Sequence, residues 1–386
     1  MRRYFLHIFG AVLLGMLSLG AVSCEEDPVV PEPELLLLRQ SVSSRKGSQF
    51  LEVRTPGEWQ LSTTADWIRI IPDKGTGDCR TVALCYEANK GEGARRADIL
   101  LMTEGKTVQV TLRQNAPSDD PEPEINGGSV TSKGWMELPG TRPDDGLNFF
   151  WHNMTVGSYT GRSYSFYWDN TKMVSHWVAY PLNTALRGSG SRTDAWGLDP
   201  LLPSNRQPDV TRTFRGGWAR GHQLPSADRL NRSANVQTFY GTNMTPQNYD
   251  FNGQVWARLE DKVRSWSTRC DTLYVVTGCV VDGAVSWTTD CAGKQVAIPQ
   301  AYYKAVLSYS SSASEFGGYR GCAVYLEHTT PAGETVGRTH RSVMSIRALE
   351  QKLGIDLFVN LPKAVGEEVA ASVETEDPNT VNQWWN

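Results

Sequence analysis

The chain has few of the side chains that bind metals through nitrogen or sulfur. Among its 386 residues are 6 histidines and 7 cysteines, and no two cysteines form a Cys-x-x-Cys pair. These counts argue against a large multi-metal array, and the spacing argues against a zinc ribbon or a thioredoxin-like centre. The chain also lacks a net positive charge, since it has 38 basic and 42 acidic residues. It is therefore not coated with the basic surface by which many proteins bind nucleic acid.

A long apolar run occurs only at the N-terminus. The run from Tyr4 to Val22 follows two arginines, is short for a tilted membrane span and lacks a basic stop-transfer cluster. It ends in small residues before Cys24, which resembles a bacterial lipoprotein cleavage site, and the acidic residues 25–27 resemble an export tag of Gram-negative surface lipoproteins. We therefore expect residues 1–23 to be a signal peptide. The mature protein would then be an outer-membrane or cell-surface lipoprotein of a Gram-negative bacterium, held to the membrane by a lipid on Cys24. An uncleaved anchor and a plain secretion signal are the alternatives.

Export would allow the six cysteines that follow Cys24 to form disulfides. Four of them lie in the C-terminal part of the chain and permit three pairings, among which the sequence does not choose. Free thiols are the alternative, for Cys79 and Cys85 in particular.

Two acidic, proline-rich segments divide the chain. Residues 24–34 and 117–128 have little apolar surface to bury, and proline and like charge extend such segments. We expect the first to be a tether and the second a linker. They separate a block at 35–116 from a larger block at 129–386, which fits about two domains for this chain length.

The block at 35–116 has the pattern of a β-sandwich. Its runs Thr81–Tyr86 and Thr107–Leu112 alternate or are β-branched, and turn residues separate such runs. The block resembles the BACON module, through Trp59, Trp67, Asn89, Arg95, Arg96 and the closing pattern Val-x-Val-x-Leu-x-Gln at 108–114. The resemblance implies a small all-β immunoglobulin-like sandwich that binds glycan or acts as a spacer. Trp59 and Trp67 would then stack on a sugar or, as the alternative, belong to the core.

The block at 129–386 mixes strands and helices. Residues 273–277 and 303–307 are predicted to be buried strands. Apolar residues at intervals of three to four predict a helix over 252–266, and a second helix near 342–353 that stops at Gly354. The fold class is therefore α+β.

The stretch from 218 to 260 carries the chemistry. It contains an Arg-Gly-His triplet ending at His222, and then Asn252 and Glu260 on the predicted helix. Their eight-residue spacing is two turns plus about 80°, so the amide and the carboxylate share a broad face. A histidine beside such a face suggests a base next to a hard cation such as Mg²⁺, which keeps most of its waters.

This stretch resembles the DNA/RNA non-specific endonucleases of the ββα-metal, or His-Me finger, type. Further residues match in the same order along the block: Trp177–Tyr180, Arg192, Trp196, Asp199-Pro200, Val276–Gly278, Ile298-Pro299, Ala301–Lys304 and Asn360–Pro362. The resemblance implies a ββα-metal nuclease domain behind the small sandwich. It also implies an endonuclease that uses Mg²⁺, with Mn²⁺ as a substitute, to hydrolyse DNA and RNA with little sequence preference and to leave 5′-phosphate products.

Three site roles follow from the resemblance for the histidine and the predicted helix. His222 would be the general base that takes a proton from water, because a neutral imidazole accepts protons near pH 7. Asn252 would bind the metal directly, and Glu260 would hold metal-bound waters. The alternatives are that Asn252 caps its helix and that Glu260 is an exposed acid paired with Arg264.

Three further site residues follow from the same resemblance. Asn243 would orient the network, Arg192 would neutralise the phosphate, and Arg220 belongs to the Arg-Gly-His triplet itself. Between Leu186 and Arg232 the chain has eight arginines, no lysine and four aspartates, so the charge near the site is positive although the whole chain is not. Planar guanidinium groups suit phosphate oxygens, and a solvated face is the alternative for about half of them.

One position departs from the family pattern. The family usually has Asp immediately before the triplet, and this chain has Ala219. We expect an active or slowed enzyme, because the other site residues are present. The alternatives are a surface glycan-binding lipoprotein with a degenerate nuclease domain, and a phosphodiesterase that acts on small nucleotides.

Overall fold

The computed structural model describes residues 32–37, 39–42, 44, 47–119, 133–141 and 146–385. The expected signal peptide, the lipid on Cys24 and most of both spacers lie outside these residues. Within the described ranges, no helix is long and apolar enough to cross a membrane. The described residues from 33 onward form one compact unit.

The N-terminal part is a sandwich of two sheets. One sheet has the strand order β1-β3-β7-β5 and the other the order β2-β9-β8-β4-β6. The strands are β1 (Glu34–Leu37), β2 (Ser41–Val42), β3 (Gly47–Arg54), β4 (Glu58–Ser62), β5 (Ile68–Ile71), β6 (Lys74–Thr76), β7 (Cys79–Tyr86), β8 (Arg95–Thr103) and β9 (Lys106–Gln114). Alternation along β8 turns Ala97, Ile99 and Leu101 into the core, as the period of a half-buried strand requires. The predicted all-β sandwich is confirmed.

The C-terminal part is built on a seven-stranded antiparallel sheet with the order β10-β11-β12-β15-β18-β19-β20. The sheet strands are β10 (Asn148–Val156), β11 (Tyr159–Asp169), β12 (Val174–Leu182), β15 (Thr272–Val280), β18 (Ala301–Tyr309), β19 (Tyr319–Glu327) and β20 (Val343–Met344). Strand β18 is buried along almost its whole length, so both faces of the sheet are covered. The two runs predicted as buried strands, 273–277 and 303–307, are the centres of β15 and β18.

In the part of the chain that the structure describes, two small hairpins and six α-helices surround the sheet. The hairpins pair β13 (Ala219–His222) with β14 (Met244–Gln247), and β16 (Ser286–Thr289) with β17 (Gln295–Ile298). The helices are α1 (Thr184–Arg187), α2 (Arg232–Gln237), α3 (Ala257–Ser267), α4 (Ile346–Leu353), α5 (Leu361–Val365) and α6 (Glu367–Thr375).

The two faces of the sheet carry different layers. One face packs on Trp256, Leu259 and Val263 of α3 and its preceding turn, together with the β13–β14 region. The other face packs on α4, α5 and α6. Neighbouring residues of β18 therefore serve opposite layers, because Tyr302 faces α3 whereas Tyr303 faces the helical layer.

The predicted helices are present with altered beginnings. The first one starts as a π-helical turn, Phe251–Trp256, and becomes α-helical only at Ala257. The apolar spacing alone does not distinguish the two, and π turns are common at functional sites. The second helix begins at Ile346 after the capping residue Ser345, and Gly354 ends it in the left-handed conformation with φ of 67°. Cys270, Cys279, Cys291 and Cys322 are free thiols in the described part of the chain, so for these four the alternative to disulfides is the one observed.

A tight contact inside the sheet generates a stability prediction. A Cβ at Gly278 would lie 2.1 Å from the ring Cζ of Tyr303, its cross-strand neighbour. We expect Gly278→Ala to lower the free energy of unfolding by about 1–3 kcal/mol, because the ring has to move out of its packed position. Gly333→Ala is the control, since nothing lies within 4 Å of that Cβ position. Urea unfolding of both variants measures the difference, and equal stabilities would contradict the prediction.

Candidate active site

The site is organised by the β13–β14 hairpin. His222 pairs with Met244 and Gly221 with Thr245 in antiparallel register. A Cβ at Gly221 would lie 2.2 Å from Cδ of Gln247, so the side chain of Gln247 occupies the space above this residue. The middle position of the Arg-Gly-His triplet is therefore glycine for a steric reason.

His222 is a buried, neutral imidazole. Its ring contacts the edges of Trp196 and Phe239, with centroid distances of 5.4 and 5.1 Å. Burial holds the pKa of His222 well below its usual value, and the charges of Arg192 and Arg220 lower this pKa further. Its Nε2 atom is buried and has no hydrogen-bond partner in the described part of the chain. A buried imidazole nitrogen of this kind is an unsatisfied polar atom, which calls for a partner outside the protein such as a water or a ligand.

Arg192 and Arg220 lie on the aromatic residues that enclose this histidine. The Arg220 guanidinium lies 3.5 Å from the ring centroid of Trp196 and donates to the carbonyl of Val210 at 2.8 Å. Arg192 lies 4.7 Å from the ring centroid of Phe239. It also donates to Asp194 and to Ser226 Oγ, each at 2.7 Å. The structure thus brings both predicted arginines and the predicted base into one cluster.

Asn252 lies in the π turn beside the end of β14. Its Nδ2 donates to Oε1 of Gln247 at 2.5 Å, and its backbone N–H donates to the carbonyl of Asn248 at 2.9 Å. The helix-capping alternative is wrong, because Asn248 is the residue whose side chain accepts from the backbone N–H groups of Asp250 and Phe251. With its Nδ2 bonded to Gln247, Asn252 has its Oδ1 atom available as a metal ligand.

Glu260 is half-buried on the first turn of α3. Burial raises the pKa of Glu260 to about 7, against the opposing effect of Lys304. Arg264 donates its hydrogen bonds to Asp228 at 2.9 Å and to Asp261 at 2.5 Å, and it acts on Glu260 only through its charge. The carboxylate of Glu260 is thus partly enclosed by the protein rather than exposed on its surface.

Lys304 is a charged residue of this region to which the sequence assigns no role. It is 1% exposed on β18 and donates to Thr277 Oγ1 at 2.7 Å. Burial lowers the pKa of Lys304 to about 8, and the charge of Glu260 acts in the opposite direction. The available signal was a single lysine inside an otherwise apolar buried strand, where a charge needs a partner.

Asn243 acts on the backbone rather than on the site itself. It is fully buried. Its Oδ1 accepts from the N–H of Leu224, and its Nδ2 donates to the carbonyls of Leu224 and Thr238. These bonds fix the chain two residues after His222. The side chain orients the network indirectly, through the path of the backbone.

The arginine-rich stretch divides into site and structural residues. Arg229 is fully buried and donates to the carbonyls of Asp228, Ser163 and Pro181. Arg187 donates to the carbonyl of Ala227. Both guanidinium groups hold loops together, and Arg229 is too deeply buried to reach a ligand.

A cluster of carboxylates elsewhere is distinct from the predicted metal site. Among the residues with described positions, Glu350, Asp356 and Glu374 place ligand atoms within 4.8 Å of one another. They belong to α4, the loop after it and α6, on the opposite face of the sheet from α3. Arg347 pairs with both Glu350 and Glu374 and neutralises part of their charge.

The two tryptophans considered for sugar stacking in the sandwich, Trp59 and Trp67, differ in how deeply they are buried. Trp59 is 4% exposed and donates its Nε1 hydrogen to the carbonyl of Gly77, so it belongs to the core. Trp67 is partly buried beneath the Arg95 guanidinium, which lies 4.1 Å from its ring centroid.

Two family models match the chain. The DNA/RNA non-specific endonuclease model matches residues 153–364, and the Viral BACON domain model matches residues 35–116. A nuclease of Nostoc sp. is 29% identical over 214 residues, which cover 55% of this chain and 76% of the relative. A nuclease of Serratia marcescens is 29% identical over 241 residues, which cover 58% of this chain and 85% of the relative. A chain in the crystal structure of the EndoG/EndoGI complex is 20% identical with a TM-score of 0.44, covering 62% of this chain and 93% of that one.

The environment of His222 predicts a pH dependence of stability. An exposed histidine in the unfolded chain takes up a proton near pH 6.5, whereas folded His222 stays neutral to lower pH. The contribution of His222 is therefore complete above pH 6.5 and is lost as the pH falls below it. We expect the wild type to lose about 1 kcal/mol more unfolding free energy than His222→Gln between about pH 6.5 and pH 5.5. Urea unfolding across this range measures the loss, and parallel profiles would refute the assignment.

Proposed function

The chain belongs to the DNA/RNA non-specific endonuclease family, and from this premise we propose that it is a Mg²⁺-dependent endonuclease that hydrolyses DNA and RNA with little sequence preference. The observation that carries the proposal is the buried Nε2 of His222, which has no hydrogen-bond partner among the described residues. It lies in one cluster with Arg192 and Arg220, on the hairpin whose second strand leads to Asn252.

The donor atoms at the site fit a hard divalent cation. Asn252 contributes an amide oxygen and Glu260 a carboxylate, and neither sulfur nor a second imidazole is part of the arrangement. Mg²⁺ prefers oxygen ligands and keeps several waters, so one direct protein ligand is sufficient. Asn252 would hold the ion and Glu260 its waters. When bound, the ion supplies positive charge to the phosphate and to the leaving oxygen. Mn²⁺ has the same preference for oxygen and would substitute.

The protein side chains would carry the proton and orient the phosphate. His222 Nε2 takes one proton from the attacking water, and its low pKa keeps it in the accepting form. Trp196 and Phe239 hold the imidazole in place. Arg192 and Arg220 neutralise the non-bridging oxygens of the phosphate. The hydroxide of that water adds to phosphorus while the bond to the 3′ oxygen breaks, and the 3′ oxygen takes up a proton from another water, so one product carries a 5′-phosphate and the other a 3′-hydroxyl.

Low sequence preference follows from the kind of contact that the site offers. Guanidinium groups beside the base recognise phosphate oxygens, which are the same at every nucleotide. The 2′-hydroxyl that distinguishes RNA from DNA lies on the sugar rather than on the phosphate. Both polymers therefore fit this chemistry.

We also propose that the protein is exported. The support is the N-terminal pattern alone: the apolar run, the small residues before Cys24 and the acidic residues after it. A lipid on Cys24 would hold the enzyme at the outer membrane or cell surface.

A nuclease assay on the mature protein tests the proposal. We expect Mg²⁺-dependent hydrolysis of plasmid DNA and of RNA that stops with EDTA. His222→Ala should lower the rate by about 10²–10⁴-fold, the usual contribution of a general base. His340→Ala is the control, because that histidine pairs with Glu334 on a loop outside the site, and it should leave the rate unchanged. Absence of hydrolysis of either polymer with Mg²⁺ and with Mn²⁺ would overturn the proposal.

Ala219 favours a second candidate function, a surface glycan-binding lipoprotein with a degenerate nuclease domain. If the missing carboxylate slows an otherwise complete site, Ala219→Asp should raise the rate by about 10–100-fold, the usual effect of a group that orders a metal site from outside it. Ala219→Asn controls for shape without charge. If the wild type and Ala219→Asp are both inactive on polymers, the binding function is favoured. Activity on dinucleotides alone would instead indicate a phosphodiesterase for small nucleotides.

A further inference from the structure

The N-terminal sandwich and the nuclease domain meet at α2. Glu52 of β3 is only 6% exposed and accepts from Arg232, the first residue of α2, at 2.6 Å. Arg39, after β1, lies 5.1 Å from the ring centroid of Tyr240, which follows α2 by three residues. The sandwich therefore contacts both ends of the segment 232–240.

Arg39 and Glu52 are themselves fixed within the sandwich. The backbone of Arg39 exchanges two hydrogen bonds with the buried side chain of Gln49, at 2.8 and 3.1 Å. Glu52 also accepts from Arg54 at 2.8 Å, and a cavity of about 200 Å³ separates this ion pair from the loop that carries Arg192. The contacts to α2 thus come from residues that are also bonded within the sandwich.

The segment between these contacts holds the loop of Arg192. Asn235, in the middle of α2, accepts from the N–H and the hydroxyl of Thr193 at 2.7 and 2.8 Å. Its Nδ2 donates to the carbonyl of Ser226 at 2.8 Å. The hydroxyl of that same Ser226 accepts from the Arg192 guanidinium at 2.7 Å. One helix therefore fixes both the backbone next to Arg192 and a hydrogen-bond partner of its side chain.

We propose that the N-terminal sandwich is an intramolecular clamp on α2 that sets the position of Arg192. Glu52 and Arg39 are then positioning residues, and the sandwich acts in catalysis as well as in any binding of its own. The catalytic consequence rests on the proposed function, whereas the mechanical one does not. The proposed order of contacts is as follows. Arg39 and Glu52 hold Tyr240 and Arg232, at the two ends of the segment 232–240, and this segment holds the loop of Arg192.

Hydrogen exchange tests the mechanical part without reference to activity. The Thr193 amide is protected by Asn235 Oδ1, so its exchange reports whether α2 holds the loop. We expect Glu52→Gln to speed this exchange about tenfold, because the ion pair to Arg232 is lost while the size of the side chain is kept. Unchanged exchange in a folded Glu52→Gln protein would overturn the clamp, whether or not the protein is a nuclease.

Arg54 provides the matched control for Arg232. The two arginines pair with the same carboxylate and have similar side-chain exposure, 44% and 46%, but only Arg232 belongs to α2. Arg232→Met should reproduce the faster exchange of Glu52→Gln, and the double variant should be no faster than either. Arg54→Met should leave Thr193 protected. An effect of Arg54→Met as large as that of Arg232→Met would overturn the proposal.

Kinetics test the catalytic part. Glu52→Gln should lower kcat/KM on polynucleotide about tenfold, as expected for a displaced binding group. In an Arg192→Ala background, the same substitution should have no further effect, because the clamp acts through Arg192. An equal tenfold loss in that background would refute this route. If the wild type is inactive, the proposed function fails while the exchange experiment still decides the clamp.

Discussion

The close contact between Gly221 and Gln247 is the constraint on which the site depends. Because Gly221 has no side chain, the amide of Gln247 fits against β13 and accepts from Asn252 at 2.5 Å. One amide therefore connects the strand that ends in the proposed base to the turn that carries the proposed ligand. The π turn serves the same arrangement, since it places Asn252 beside the strand before the regular helix begins at Ala257. A larger residue at position 221 would separate the two halves of the site.

The electrostatics of the site divide it into two halves with opposite tendencies. On one side, burial and two arginines keep His222 without charge. On the other side are Glu260 and Lys304. Burial disfavours the charged form of both side chains, whereas the opposite charge of the partner favours it. A bound polyanion would oppose the first effect. Its phosphates would offset the charges of the two arginines and so raise the pKa of His222. A divalent cation near Glu260 would favour the ionised carboxylate. These electrostatics fit the proposed binding of a cation on one side of the site and of a phosphate on the other.

The sequence predicted more of the local structure than of the packing. The apolar runs at 273–277 and 303–307 predicted the strands β15 and β18, and the triplet with Asn252 and Glu260 predicted the candidate site, because these signals are local in the sequence. The π turn escaped prediction, since apolar spacing is similar in both helix types. The structural role of Arg229 also escaped prediction, and so did the backbone contacts through which Asn243 acts, because backbone carbonyls and amides leave no mark in the sequence. The contact of the sandwich with α2 depends on which surfaces meet, and the acidic linker suggested separation instead.

The structure leaves only one of the two expected effects of Ala219, the loss of a negative charge. A carboxylate next to Arg220 could order this arginine or add negative charge near the metal. In this chain Arg220 is already held by the ring of Trp196 and the carbonyl of Val210, neither of which depends on residue 219. The position of the Arg220 side chain therefore does not depend on a carboxylate at residue 219. The absence of that carboxylate removes only a negative charge. With one carboxylate fewer, the local potential is more positive, which favours the binding of phosphate and disfavours that of the cation. For the proposed enzyme, the change is therefore expected to alter the relative binding of polymer and metal rather than the position of the base.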